Sequence, residues 1–184
     1  MFIRSERLFL RPPFPEDWRE LHREISDPAV VHMLSNVPWP YRESDALEFA
    51  TRDERRHLPH RLICLPGPTG APIVGCVGLE QVGDDVELGY WISRPCWGRG
   101  FATEAVRSFL TLAAVLGHRR IHAVHAEGNV ASAKVLHKLG FQATGENVER
   151  FSKAYGKRLV VRRHVLDLTK IADFHLDSLL PAAA

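Results

Sequence analysis

A short glycine-containing segment, Trp97-Gly98-Arg99-Gly100-Phe101-Ala102, has the residue types that a phosphate-binding turn requires. It follows a predicted strand that ends at Ile92 and leads into a predicted helix that begins near Phe101. Such a helix directs several backbone N–H groups and the positive end of its dipole toward one point. Gly98 and Gly100 carry no Cβ, so the backbone can approach a phosphate closely. The segment predicts an anion site, although a tight strand-to-helix turn can also need glycine without any ligand.

Two arginines could add charge-assisted hydrogen bonds to an anion, namely Arg94 just before this turn and Arg99 within it. The common nucleotide-binding motifs do not fit. A P-loop needs Lys after its last glycine, whereas Phe101 follows Gly100. A dinucleotide-binding turn needs a third glycine where Thr103 stands. A different phosphate-containing ligand is therefore expected.

The elements that would hold this turn are predicted from hydrophobic periodicity. Alternation predicts strands, and spacings of three and four predict helices. We predict strands over residues 4–10, 61–65, 72–79, 86–92, 120–126, 146–151 and 159–166, and helices over 16–26, 43–56, 101–116 and after residue 129. Because a helix separates strands 86–92 and 120–126, these two can lie parallel through a right-handed crossover. The order predicts a mixed α/β sheet in one domain over residues 1–184, with residues 171–184 as a C-terminal tail.

Composition argues against several classes of protein. The 24 Lys and Arg residues nearly balance 22 Asp and Glu residues, whereas a general nucleic-acid binder is usually strongly basic. No stretch approaches the roughly 18 apolar residues of a membrane span, and the alternating N-terminus does not look like a signal peptide. The three cysteines show no C-x-x-C spacing, so no disulfide framework is expected. We expect a cytoplasmic protein that binds neither nucleic acid nor membrane.

The ten histidines do not predict a metal site. His122 and His125 lie three apart in a predicted strand, so their side chains should point to opposite faces of the sheet. His57 and His60 have no third ligand at a helical spacing. We expect no metal.

Two motifs resemble those of the GNAT superfamily of N-acetyltransferases. The first runs from Glu87 through the glycine turn to Ala105, and the second is Asn129-Val130-Ala131-Ser132 followed by Lys138-Leu139-Gly140-Phe141. Together they most resemble the branch of the ribosomal-protein acetyltransferases RimJ and RimL, and the similarity in element order covers residues 2–168. The resemblance implies a GNAT-like, mostly antiparallel sheet with a central pair of splayed parallel strands and flanking helices.

The resemblance also implies that acetyl-CoA is the cosubstrate and lies in the gap between the splayed strands. Its pantetheine arm would pair with the backbone of Trp91, Ile92 and Ser93 like an added strand. A backbone N–H near Tyr90 or Trp91 could polarise the thioester carbonyl. The pyrophosphate would bind the turn and the start of the helix, which comprise Trp97, Gly98, Arg99, Gly100, Phe101, Ala102 and Thr103.

Three residues are expected to take part in catalysis. Glu87 is the candidate general base, directly or through a water, and Asp85 is a nearby competitor. Many members of the superfamily carry an acidic tyrosine where Leu136 stands here, so Ser132 is the expected substitute and would stabilise the departing thiolate by hydrogen bonding. Asn129 would position the pantetheine or Ser132, and it could equally be a helix N-cap.

The acceptor site is expected beside the first two helices, where Trp39 and Tyr41 could line it or could belong to the core. The RimJ and RimL resemblance implies a protein N-terminal amine as acceptor, while near relatives acetylate amino acids, polyamines or antibiotics. The alternative to an enzyme is a non-catalytic module that only binds acyl-CoA. The chain is expected to be a monomer or a homodimer.

Overall fold

The computed structural model describes residues 1–169, and the predicted tail over residues 171–184 lies outside this range. Two short 3-10 helices, Pro15–Asp17 and Arg94–Cys96, accompany the main elements. The helices are α1 (Trp18–Ile25), α2 (Pro28–Val31), α3 (Glu43–Thr51), α4 (Phe101–Val115) and α5 (Val130–Lys138). The strands are β1 (Ile3–Arg4), β2 (Phe9–Arg11), β3 (His60–Cys64), β4 (Ile73–Val82), β5 (Asp85–Ile92), β6 (Arg120–Ala126), β7 (Gln142–Ser152) and β8 (Lys157–Asp167).

All eight strands belong to one sheet, in the order β1-β2-β3-β4-β5-β6-β8-β7. Neighbouring strands run antiparallel, except that β5 and β6 run parallel and are joined by the crossover helix α4. This arrangement confirms the predicted mixed α/β fold with one central parallel pair.

The parallel pair separates over most of its length. Along β5, pairing with β6 comprises Glu87 with His122 and Leu88 with Ala123. On its other edge β5 stays paired with β4 from Asp85 to Ile92. The carboxyl-terminal half of β5 therefore has one edge free, and a gap opens in the middle of the sheet beyond Leu88.

The two faces of the sheet pack against different helices. One core cluster joins the buried face of α4 and Leu136 of α5 to Leu88 and Ile92 of β5. The other joins α1, α2 and α3 to β3 and β4, and Trp91 packs against it. Because side chains alternate along a strand, Glu87 and Trp91 face α1–α3, whereas Leu88 and Tyr90 face α4 and α5.

Several predicted bounds differ from the structure. The predicted first strand is divided into β1 and β2, because Ser5 and Leu8 close a turn within it through a 2.9 Å backbone hydrogen bond. The second predicted helix ends at Thr51 instead of residue 56. Helix α2 was not predicted: Asp27 caps it by accepting from the Ala29 N–H, and its Pro28 fits a first helical turn. The final hairpin is longer than predicted.

Within residues 1–169, no helix has both the length and the apolar character needed to cross a membrane. Over the same range, no group of at least three His, Cys, Asp or Glu side chains is arranged to hold a metal ion. His122 and His125 are both buried, on alternate faces of β6.

Candidate active site

A cavity of about 710 Å³ passes through the gap between β5 and β6. On one side of the sheet it is bounded by α1–α3 and β4, and on the other by the glycine turn, the start of α4 and helix α5. A ligand in this cavity can therefore reach both faces of the sheet. The gap in strand pairing makes this passage possible.

The glycine turn forms one end of this cavity. Gly98 and Gly100 have φ of 74° and 80°, a left-handed conformation that glycine adopts without strain. No heavy atom lies within 4 Å of where a Cβ of Gly98 would stand, so the turn is open on that side. Gly100 is the N-cap of α4 and offers no side-chain cap, which leaves the first N–H groups of the helix available. The predicted turn residues that line the cavity are Trp97, Gly98, Gly100, Phe101, Ala102 and Thr103.

Neither arginine beside the turn lines the cavity within the described structure. The Arg94 guanidinium lies 3.4 Å from Asp27, and that of Arg99 lies over the Phe101 ring, 4.6 Å from its centroid. Their expected contact with an anion would require the side chains to move. Gly98, Gly100 and the first residues of α4, by contrast, already line the cavity.

A residue that the sequence interpretation missed, Arg7, fixes the turn from outside. Its Nε donates to Glu104 on the first turn of α4 at 2.8 Å, and its Nη1 donates to the Arg99 carbonyl at 3.1 Å. The Arg7 backbone N–H and the Ser5 hydroxyl also donate to Glu104, each at 2.7 Å. Although burial raises the pKa of Glu104, these donors outweigh burial and lower it. Arg7 therefore ties the first strands to both sides of the turn.

The free edge of β5 presents a different set of backbone groups from those predicted. The Ser93 N–H donates to the Val74 carbonyl of β4 at 2.8 Å, so it is not available to a ligand. Because backbone groups alternate between the two edges of a strand, Trp91 also faces β4, and Tyr90 and Ile92 face the gap. The Ile92 carbonyl accepts from the Trp97 indole at 2.7 Å. Tyr90 N–H is thus the first amide beyond the paired residues that faces the gap.

The candidate base, Glu87, lies at the point where pairing ends and lines the cavity. Its carboxylate accepts from Arg150 of β7 at 3.0 Å. Burial raises the pKa of Glu87, and Arg150 opposes this change only in part. The competitor Asp85 instead pairs with Arg163 and lies 3.1 Å from His122, away from the lining residues of the cavity. The geometry favours Glu87 over Asp85.

Asn129, Ser132 and Tyr90 form a connected group on the other side of the gap. The Asn129 Oδ1 accepts from the Ser132 N–H at 3.0 Å, so Asn129 is the N-cap of α5. The Tyr90 hydroxyl lies 2.8 Å from the Ser132 Oγ. Burial raises the pKa of Tyr90 to about 12, so its phenol keeps its proton. Leu136 is fully buried in the core cluster of α4.

Tyr90 is a candidate functional residue that the sequence interpretation treated only as a backbone position. The available signal was that Tyr90 lies two residues after Leu88 on β5. The two side chains therefore lie on the same face of the strand, which α5 covers. The partner of Tyr90, Ser132, could not be identified without the structure, because Tyr90 and Ser132 are far apart in the sequence.

The two aromatic residues predicted for the acceptor site differ in position. Tyr41 is largely buried and lines the cavity. Trp39 is not among the described lining residues and packs against the His32 ring at 5.6 Å. The acceptor half of the cavity also contains Glu80, which was not predicted.

A second cavity, of about 730 Å³, lies between α5 and the β7–β8 hairpin. It is lined by several basic and histidine side chains, including Lys134, Lys138 and His164. It does not include the glycine turn or Glu87. The cavity through the sheet is therefore the candidate active site.

Comparison with known proteins identifies the family. The family model described as an acetyltransferase (GNAT) domain matches residues 7–142. The chain belongs to the GNAT acetyltransferase family. The predicted membership is confirmed, and the glycine turn, both motifs and Arg7 all lie inside the matched region.

Individual relatives agree with this GNAT assignment. The chain is 28% identical over 163 residues to the uncharacterized N-acetyltransferase p20 of Bacillus licheniformis, covering 85% of this chain and 90% of p20. A structure of RimL, a ribosomal α-N-protein acetyltransferase, with coenzyme A has a TM-score of 0.74 at 18% identity, covering 91% of this chain and 98% of RimL. Spermidine N-acetyltransferase from Vibrio cholerae, with CoA and spermine, has a TM-score of 0.75 at 19% identity, covering 91% and 99%. The chain is therefore a GNAT-family N-acetyltransferase, and the structural neighbours share its fold.

The Arg7 contacts predict a role in cosubstrate binding. In Arg7→Gln, the Arg99 carbonyl and Glu104 lose the hydrogen bonds of the guanidinium, so the turn is held less firmly and affinity for CoA should fall roughly tenfold, which corresponds to about 1.4 kcal/mol. Calorimetric titration with CoA measures this change. Arg4→Gln, a like change at an exposed strand residue, is the control.

A second donor separates this role from general damage. S-acetylpantetheine lacks the ADP portion that the turn would hold, so Arg7→Gln should leave its kcat/KM unchanged. An equal loss with both donors, or unchanged CoA affinity, would contradict the assignment.

Proposed function

We propose that this protein transfers the acetyl group of acetyl-CoA to a protein N-terminal α-amine, by direct attack of the amine in a ternary complex. The position of Glu87 carries this proposal: a partly desolvated carboxylate lines the passage where the sheet opens. The cosubstrate would enter from the α4–α5 face and the acceptor from the α1–α3 face. The two would then meet at Glu87 and the Tyr90 amide.

The donor side supplies backbone groups for binding. The amides of Gly98 to Thr103 would hold the pyrophosphate, with the positive end of the α4 dipole behind them. Tyr90 and Ile92 would pair with the pantetheine arm as a partial added strand. The Tyr90 N–H is the candidate donor to the thioester oxygen as negative charge develops there. Fixed backbone donors suit this task because they need no rearrangement during the reaction.

The acceptor must lose a proton before it attacks. A protein α-amine has a pKa of about 7.7–8.0, whereas that of lysine is about 10.4. A carboxylate with a raised pKa is a better match to an α-ammonium group than an exposed carboxylate. Glu87 would take this proton, directly or through a water, and later release it to solvent.

The transfer itself forms a nitrogen–carbon bond and breaks the carbon–sulfur bond, and the electron pair leaves on sulfur. The second proton lost by the nitrogen balances the thiolate, which leaves as a thiol. Ser132 would donate a hydrogen bond to the developing thiolate. The Tyr90 hydroxyl lies 2.8 Å from the Ser132 Oγ, and we propose that the phenol is the donor, which would leave the Ser132 proton free to point toward sulfur. Tyr90 is thus a positioning residue in this scheme.

The choice of a protein N-terminal amine rests on the RimJ and RimL resemblance of the two motifs and on the activity of RimL, a ribosomal α-N-protein acetyltransferase. The spermidine acetyltransferase has a closely similar TM-score to this chain, so shared fold does not separate the two kinds of acceptor. A small-molecule amine therefore remains the second candidate. A non-catalytic acyl-CoA-binding module is disfavoured, because Glu87, Ser132 and Tyr90 converge on the passage.

The function is tested by release of CoA thiol from acetyl-CoA in the presence of an amine panel. The panel contains N-terminal peptides, free amino acids, polyamines and aminoglycosides. Turnover that is fastest with peptides is the expected result. CoA binding without thiol release above the hydrolysis background, for every amine, would contradict the proposal and favour the binding module.

Replacement of Glu87 should change the pH dependence of the reaction. In the wild type, ionised Glu87 accepts the proton of the ammonium form, so kcat/KM on total acceptor should stay nearly flat below the α-amine pKa of about 8. It should fall once the pH drops through the raised pKa of Glu87, where the base is protonated. Glu87→Gln can use only free amine, so its kcat/KM should fall tenfold per pH unit below about 8.

The measurement is a pH–rate profile with one N-terminal peptide. Glu149→Gln, at an exposed position of β7, is the matched control and should follow the wild type. Parallel profiles for Glu87→Gln and the wild type would rule out Glu87 as the base.

Replacement of Tyr90 should act through Ser132. Tyr90→Phe removes one hydrogen bond, and a loss of about 0.5–1.5 kcal/mol corresponds to roughly a 2–13-fold lower kcat. Tyr90→Phe in a Ser132→Ala background should not lower kcat further, because the Ser132 hydroxyl that Tyr90 positions is absent. Additive losses in kcat would contradict this role, and Tyr155→Phe at an exposed site serves as the control.

A further inference from the structure

Two carboxylates face each other in the acceptor half of the cavity. Glu80 of β4 is the direct register partner of Glu87 of β5, and both side chains line the cavity. Directly paired residues lie on the same face of a sheet with their Cβ atoms about 4.5–5.5 Å apart. An acceptor amine that reaches Glu87 from the α1–α3 face must therefore pass close to Glu80.

Glu80 is held in place as an anion. The Asn36 amide donates to its Oε2 at 2.9 Å, and the His60 Nε2 lies 3.7 Å from its Oε1. The imidazole of His60 lowers the pKa of Glu80 despite partial burial. A Cβ at Gly78 would meet the His60 ring at 2.2 Å, so glycine at this position permits the ring to lie beside Glu80.

Among the described residues, no Lys or Arg lines the acceptor half of the cavity. The exposed Arg52 helps to lower the pKa of Glu80 but lies outside this lining. Burial lowers the pKa of His60, so the ring is neutral at physiological pH. The lysines that line the cavity, Lys134 and Lys138, belong to α5 on the opposite face of the sheet. Arg150 is engaged by Glu87, so within the described structure neither Lys nor Arg forms a salt bridge with Glu80.

Apolar side chains cover most of the rest of this half of the cavity, which Ser35 and Tyr41 also line. The apolar side chains come from α1 to α3 and the loops between them, and include Ile25, Val30, Met33, Val37 and Phe49. This wall suits the side chain of an amine-bearing residue. A free carboxylate on the adjacent carbon would be repelled by Glu80 and Glu87.

We propose that this half of the cavity selects α-amines with an apolar side chain and no free carboxylate on the adjacent carbon, and that Glu80 holds their ammonium group beside Glu87. The selected class is a peptide N-terminus or an amino acid amide, and free amino acids are excluded. This inference rests on the proposed acetyl transfer at the same site and narrows its acceptor.

The test compares leucinamide with leucine, which share the side chain and the α-amine. Rates are expressed per concentration of free amine, because the amide lowers the basicity of the α-amine. The wild type should prefer leucinamide at least tenfold in kcat/KM. Glu80→Gln should raise KM for leucinamide roughly tenfold, leave affinity for CoA unchanged and reduce the preference by a similar factor. The preference for leucinamide over leucine is then compared between Glu80→Gln and the wild type. Any remaining difference in basicity between the two compounds cancels in this comparison.

Two further variants serve as controls for the effect of Glu80→Gln. Asn36→Ala keeps the Glu80 charge but removes the side chain that orients it, so a smaller change in the same direction is expected. Glu149→Gln should behave like the wild type. Equal use of leucine and leucinamide, or an unchanged preference in Glu80→Gln, would overturn the inference while leaving acetyl transfer intact.

A binding measurement separates the inference from the proposed function. Calorimetry on the CoA-loaded protein should show leucinamide binding more tightly than leucine, with the difference lost in Glu80→Gln. This pattern without turnover of any amine would contradict acetyl transfer and support the selection by Glu80. Equal binding of both compounds would overturn the selection.

Discussion

The loss of pairing between β5 and β6 beyond Leu88 is the constraint on which the rest of the site depends. A sheet normally satisfies the backbone groups of each inner strand on both edges, and unpaired groups are costly when buried. Here β5 is held by β4 on one edge, while β6 is held by β8 along its whole length. The two halves of the sheet therefore remain intact while the gap between them stays open. The free edge of β5 is a site for another extended chain, and we propose that the pantetheine arm of acetyl-CoA supplies one.

The opening also divides the site into two electrostatic halves. On the α4–α5 face, helix amides and Lys134 and Lys138 provide positive potential for a phosphorylated cosubstrate. On the α1–α3 face, Glu80 and Glu87 provide negative potential for an ammonium group. The two reactants carry opposite charges, so each half attracts one and repels the other. This division favours entry of the cosubstrate and the acceptor from opposite faces of the sheet.

Much of this arrangement could be predicted from the sequence, because local signals specify it. The spacing of apolar residues changes from two to three or four, and this change predicted β5 followed by α4. Gly98 and Gly100 predicted the turn between them. The alternation around Glu87 placed it on a strand that enters the gap. The two motifs then indicated the family, which the family model confirms.

The parts that could not be predicted depend on contacts between distant residues. Arg7 reaches Glu104 and Arg99 only after the first strands pack beside α4. Tyr90 meets Ser132 only when α5 covers β5. The hydrogen bond from the Ser93 N–H to the Val74 carbonyl follows from the register between β4 and β5. Hydrophobic periodicity does not determine this register. Glu80 required the same register to be recognised as the partner of Glu87.

Amide hydrogen exchange with and without CoA tests whether the cosubstrate binds in the gap between β5 and β6, because it reports on each backbone N–H. Binding through the gap predicts slower exchange at Tyr90, Ile92 and the amides of residues 98–103. Ser93 should change little, since its N–H is already bonded to Val74. Protection confined to α5 and the β7–β8 hairpin would instead place the ligand in the second cavity and contradict the account.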